Sequence, residues 1–164
     1  MDSARQQSCL ECAERPNGLF CDLPREALQD FDRLKSLTLY PKGTTLFAGG
    51  QPARGIFVLC QGKIRLSVFS ESGKVMTLRI VGPGEVLGMS AVLAGTPHET
   101  TAQSLDDAQV AIVKRKDWLR FLHEHPEVCL QVVNLLSQEL DFAYDRICAV
   151  GLSRSRRARD ARVH

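Results

Sequence analysis

Gly55-Ile56-Phe57-Val58-Leu59-Cys60-Gln61-Gly62-Lys63-Ile64-Arg65-Leu66-Ser67-Val68 is the stretch that decides the fold. Ile56 to Cys60 is a continuous apolar run, the pattern of a strand covered on both faces. Gln61-Gly62 marks a turn. Beyond it Ile64, Leu66 and Val68 alternate with Arg65 and Ser67, the period of a strand with one face inward. The same grammar repeats outward. Met76, Leu78 and Ile80 alternate around Thr77 and Arg79, and Pro41-Lys42-Gly43, Gly49-Gly50-Gln51-Pro52, Ser72-Gly73 and Gly82-Pro83-Gly84 supply corners. Turn signals about every ten residues between short apolar segments predict a closed antiparallel sandwich or barrel. Two further strands are expected at residues 100–104 and 109–114, the second ending in Lys114-Arg115-Lys116.

Helices flank these strands. Pro24 opens a helical stretch with Leu28, Phe31 and Leu34 on one face. A short helical or turn segment is expected at 90–94, stopped by Gly95, and Trp118, Leu119 and Leu122 predict another helix ended by Pro126. The last element is long: from 127 to about 152 there is no proline, and glycine occurs only at Gly151. Val133, Leu136, Leu140, Ala143, Ile147 and Val150 occupy successive a and d heptad positions, with Val132, Leu135 and Phe142 as a second strip beside them. One strip can pack on the chain's own strands and the other needs a partner, so a homodimer through this helix is expected. The organisation is then an irregular cysteine-bearing arm (1–22), a β-roll with short helices (23–126), a dimerisation helix (127–152) and a basic tail (153–164). That tail holds Arg154, Arg156, Arg157, Arg159 and Arg162 against Asp160 alone and reads as a solvated segment.

Composition bounds the rest. A length of 164 residues with 44% hydrophobic content supports one domain with its own core. A net charge of +2 gives no general attraction to polyanions. The N-terminus carries no apolar signal-peptide region, and no apolar run approaches the ~20 residues of a membrane span, so a cytoplasmic protein without membrane contact is expected. Thiols stay reduced there, which makes Cys9, Cys12, Cys21, Cys60, Cys129 and Cys148 candidates for metal or redox chemistry rather than a disulfide framework.

Four segments in order carry a resemblance: Tyr40-Pro41-Lys42-Gly43-Thr44-Thr45-Leu46-Phe47, Gly55-Ile56-Phe57-Val58-Leu59, Gly62-Lys63-Ile64-Arg65-Leu66 and Gly82-Pro83-Gly84-Glu85-Val86-Leu87-Gly88. With a helix before and a long helix after, residues from about 23 to 152 resemble the cyclic-nucleotide-binding sensor domain of the Crp/Fnr family of bacterial transcription regulators. The resemblance implies a mainly β, jelly-roll-like antiparallel roll of eight strands with flanking helices and a long C-terminal dimerisation helix. It also implies an effector pocket at the cassette-equivalent positions Gly84, Glu85, Gly88, Met89, Ser90, Thr100 and Thr101.

In the cyclic-nucleotide binders a glutamate takes the ribose hydroxyl and an arginine pairs with the phosphate. Here the glutamate position after Gly88 is Met89, and the arginine position before Ala102 is Thr100, within His98-Glu99-Thr100-Thr101-Ala102. A thioether is a poor acceptor, a threonine brings no positive charge, and Glu99 repels a phosphate. Cyclic AMP or cyclic GMP in the usual mode is therefore not expected, and the effector stays unknown.

The cysteines offer a second sensor. Cys9-Leu10-Glu11-Cys12, followed by Cys21 after eight intervening residues, is similar to the oxygen-sensing branch of the family, which implies a 4Fe–4S cluster. Two departures stand: the last interval is longer than in that branch, and the strand expected to carry the fourth thiol has Val110 and Ala111 instead. Cys60 is the substitute fourth ligand, zinc is an alternative metal, and Cys129 and Cys148 are expected to be buried in the long helix.

In this family a winged helix-turn-helix follows the dimer helix. None is read in the residues after 152, so DNA is expected as a partner only through a segment absent from this chain. Gly151-Leu152-Ser153 resembles the hinge into that part, favouring the sensory half of a regulator over a free-standing adaptor module. Enzymatic readings fare worse. A cupin-like metal site needs inward histidines, and of His98, His123, His125 and His164 only His98 falls near the roll. Neither a nucleophile triad nor a phosphate-binding glycine loop is present.

Overall fold

Pairing of the alternating segments produces two four-stranded antiparallel sheets. The computed structural model describes residues 23–151, so the cysteines at 9, 12 and 21, the arm and the basic tail lie outside the described residues. Along the chain run α1 (Arg25–Leu34), β1 (Ser36–Tyr40), β2 (Thr45–Phe47), β3 (Gly55–Gln61), β4 (Ile64–Phe69), β5 (Val75–Val81), β6 (Val86–Leu87), α2 (Met89–Ala94), β7 (Thr101–Ser104), β8 (Ala108–Lys114), α3 (Arg115–Glu124) and α4 (Pro126–Gly151). One sheet has the order β1-β8-β3-β6 and the other β2-β7-β4-β5, which leaves β5 on an edge.

The apolar run in β3 is covered on both faces, as its sequence requires. Ile56 and Val58 pack with α1, α3 and the start of α4 around Leu28, Phe31, Trp118, Phe121 and Val128. Phe57 and Leu59 turn to the interior between the sheets, with Phe47, Ile64, Val81, Leu87 and Val110. Fully burying one such side chain contributes about 1.5–3 kcal/mol, so these two clusters hold the roll and its helices together. Trp118 sits at the centre of the helical cluster, and its indole N–H donates to Met89 Sδ at 3.2 Å, which leaves no unpaired polar group there.

Three expectations change. The apolar row Met76, Leu78, Ile80 does not face inward as a unit. A bulge between Leu66 and Ser67 in the β4–β5 register makes Leu78 the extra residue, so Ile80 is turned out at 47% exposure while Val81 is buried. Cys129 is exposed rather than buried, because it lies about 100° around α4 from Val128, the position that enters the core. The heptad stripe is divided as well. Leu136 packs with Leu135 and Val132 against the chain's own core, whereas Val133 and Leu140 remain more than half exposed. The side chain of Val150 lies outside those described.

Candidate functional site

The distal half of α4 does not enter either core cluster; it covers an opening in the roll. Between them lies a cavity of about 500 Å³, within the ~300–1,000 Å³ usual for small-molecule pockets. Leu66, Met76, Leu78 and Arg79 of β4 and β5 form one wall, and Phe47 and Leu87 the floor. The turn from β6 into α2 supplies Gly88, Met89 and Ser90, and the loop before β7 supplies His98, Glu99 and Thr100. Glu139, Phe142, Ala143, Arg146 and Ile147 close it from α4.

Gly88 is the corner on which this wall turns. Its φ is +82°, and a Cβ there would lie 3.1 Å from His98 Cε1 and 3.3 Å from the Gly55 carbonyl oxygen. The His98 ring stacks on Phe47 with centroids 3.9 Å apart, and burial holds its pKa below the ordinary 6.5, so the neutral ring faces the cavity.

Of the cassette-equivalent residues, Gly88, Met89, Ser90 and Thr100 line the cavity together. The others build its surroundings. Gly84 donates its N–H to the Leu59 carbonyl at 2.7 Å. Glu85 accepts from the Gly82 N–H at 2.6 Å and pairs with Arg79 at 2.7 Å. Thr101 Oγ1 accepts from the Gly49 N–H at 3.0 Å.

The charged groups that matter most were not singled out from sequence. Arg146 donates from Nε to the Leu78 carbonyl and from Nη2 to the Thr77 carbonyl, both at 2.9 Å. The bulge at Leu78 on an edge strand leaves those carbonyls free to accept. Arg79 reaches back to α4, its guanidinium 5.1 Å from the centre of the Phe142 ring. Glu139 is half-buried; its desolvation raises the carboxyl pKa above 4.5 against the pull of Arg79, with Glu99 and Glu85 adding to the rise. Glu139, Phe142, Ala143, Arg146 and Ile147 follow i, i+3, i+4, i+7, i+8 spacing, so one helix face mixing two charges with apolar residues was the available signal.

Among the described residues, one group has metal-ligand spacing: ligand atoms of Asp30, Glu124 and His125 lie within 4.8 Å of one another. His125 Nε2 already bonds Asp30 Oδ2 at 2.7 Å, which ties α1 to the α3–α4 junction, and Nδ1 lies 3.4 Å from Glu127 Oε1 in the first turn of α4. Cys60, the one cysteine of the expected cluster set that is described, packs partly buried against the helical core.

Residues 37–125 match the family model for the cyclic nucleotide-binding domain. The chain belongs to that family. Its relatives include the cyclic AMP receptor protein of Thermus thermophilus, 28% identical over 102 residues, which are 62% of this chain and 47% of that protein. Among solved structures, the T. thermophilus catabolite activator protein superposes with a TM-score of 0.73 at 25% identity, covering 82% of this chain and 63% of that one. The N-terminal domain of a transcriptional regulator from Streptomyces coelicolor gives a TM-score of 0.64 at 26% identity, over 81% of this chain and 93% of that one. The chain spans about half the length of the curated relatives it matches. This cyclic nucleotide-binding domain thus has Crp/Fnr-type regulators among its homologues and structural neighbours. No helix among its described residues is long and apolar enough to cross a membrane.

Proposed function

We propose that this chain is the effector-binding and dimerisation half of a Crp/Fnr-type transcription regulator, a non-enzymatic cytoplasmic sensor whose small-molecule effector occupies the cavity under α4. One observation carries the reading: the same cavity is walled by the roll and by the distal half of α4. A ligand there touches both bodies, so any difference in its affinity for two helix placements becomes a shift between them. Val133 and Leu140, more than half exposed and outside the cavity lining, supply apolar surface on the same helix for a second copy.

The usual cyclic nucleotide contacts are not part of this proposal. Met89 spends its sulfur on Trp118, and Thr100 offers a hydroxyl where the family places a cation. Nor does any step run through iron; the cluster expected of Cys9, Cys12, Cys21 and Cys60 is tested separately by iron and sulfide analysis after anaerobic purification.

Light scattering at ten to fifty micromolar tests the dimer, which should give twice the chain mass and fall to one with Val133→Glu plus Leu140→Glu. A monomeric native protein would remove the signalling route.

A further inference from the structure

We infer that the cavity under α4 selects a ligand carrying a basic nitrogen on an apolar body, held by the carboxylates of Glu139 and Glu99, and rejects organic anions. The inference rests on the proposed effector role of this cavity and adds the chemical class of what enters it.

The polar groups around the cavity divide by what they have left to offer. Arg79 is engaged by Glu85 at 2.7 Å and by the Phe142 ring, and Arg146 spends two donors on the Thr77 and Leu78 carbonyls. Glu139, half-buried, and Glu99, exposed, line the same space; among the described residues neither carboxylate accepts a hydrogen bond, and Arg79 acts on Glu139 only through its charge. Burial keeps the His98 ring neutral, so it adds no cation. Among the lining charges, Arg79 and Arg146 balance Glu99 and Glu139 in number, but both guanidinium groups are already engaged while the two carboxylates are not.

A desolvated carboxylate without a hydrogen-bond donor is costly, and a cationic donor beside it returns that energy. An anion meets the opposite: two committed guanidinium groups, the half-buried carboxylate of Glu139 and, at the exposed edge, that of Glu99. The remaining walls (Phe47, Leu66, Leu78, Leu87, Phe142 and Ile147) suit a flat apolar body.

Two near-isosteric probes of opposite charge test this: tryptamine and indole-3-propanoate, titrated into the full chain at pH 7 by calorimetry. Binding by tryptamine, at least tenfold weaker for indole-3-propanoate, supports the assignment. It also requires that Glu139→Gln and Glu99→Gln each weaken tryptamine at least fivefold while keeping the native circular dichroism. Tryptamine affinity should fall as pH drops and Glu139 takes up a proton, with Arg79, Glu85, Glu99, Arg146 and His98 as the other charged or titratable groups facing it. Equal or tighter binding of the acid, unchanged tryptamine affinity in both variants, or no binding of either probe overturns it.

Hydrogen exchange along α4, read in the same samples, separates this from the sensor role. Acid binding that alters α4 exchange keeps the sensor and discards the ligand class. Tryptamine binding that leaves α4 unchanged does the reverse.

Discussion

Replacing Arg146 with alanine removes the clasp between α4 and the edge of β5. The two hydrogen bonds it makes are each 2.9 Å long and run from a charged donor to neutral carbonyls. Bonds of this type contribute about 1.5–3 kcal/mol when well shielded, but Arg146 is exposed and water competes for both partners, so about 1 kcal/mol in total is the appropriate figure. Spread over the whole domain, that lowers Tm by only about 2–4 °C. Its local effect is larger in kind. Val128, Val132, Leu135 and Leu136 anchor the first half of α4 in the core; the second half rests on the cavity rim. The full ~1 kcal/mol therefore bears on opening of that second half, which should rise about fivefold in population. Amide hydrogen exchange at residues 139–149 should accelerate about fivefold in Arg146→Ala, with β3 and β8 amides shifting only with global stability. Arg146→Lys, able to reach one carbonyl, should fall between. Unchanged exchange at 139–149 in Arg146→Ala would refute the clasp and mean that something else holds the helix down.

Glu139→Gln should be at least as stable as wild type at pH 7. The folded pKa of Glu139 lies above its unfolded 4.5, so ionisation costs stability as pH rises, and the advantage should vanish below 4.5 in pH-dependent thermal melts. His98 is shifted the other way: its neutral form is fully favourable above 6.5, and stability is lost as pH falls through the depressed folded pKa. His98→Gln should flatten the melting-temperature slope below pH 6.5, whatever it does to the absolute value. Gly88→Ala places a Cβ in left-handed backbone 3.1 Å from the His98 ring, and should cost about 1–2 kcal/mol from the backbone alone in urea unfolding.

Much of the architecture could be read before any coordinates. The unbroken apolar run of β3 predicted burial on both faces, and Ile56 with Val58 on one side and Leu59 on the other meet it. The segment at 90–94 and its stop at Gly95 are α2 and its left-handed C-cap. What could not be read was the bulge. Strict period two assigns Arg79 outward, and only one extra residue in the β4–β5 ladder brings it to the cavity beside Leu66. Glu139 and Arg146 were hidden for a different reason. A heptad reading of α4 sorts its apolar positions and treats charges as solvated, while these two face a cavity that exists only once the roll has closed. Gly88, Met89 and Ser90 reach the cavity because a short helix follows a tight corner there, and Thr100 meets them from the loop before β7, whereas Gly84, Glu85 and Thr101 do not line it.

The split anchorage of α4 makes it a lever with its pivot near Leu136. From that pivot to Gly151 the helix rises about 22 Å at 1.5 Å per residue, so a tilt of only about 10° sweeps its far end through about 4 Å. A rearrangement at the cavity no larger than one side chain is thereby magnified to nearly the spacing between neighbouring β-strands, delivered wherever the rod leads.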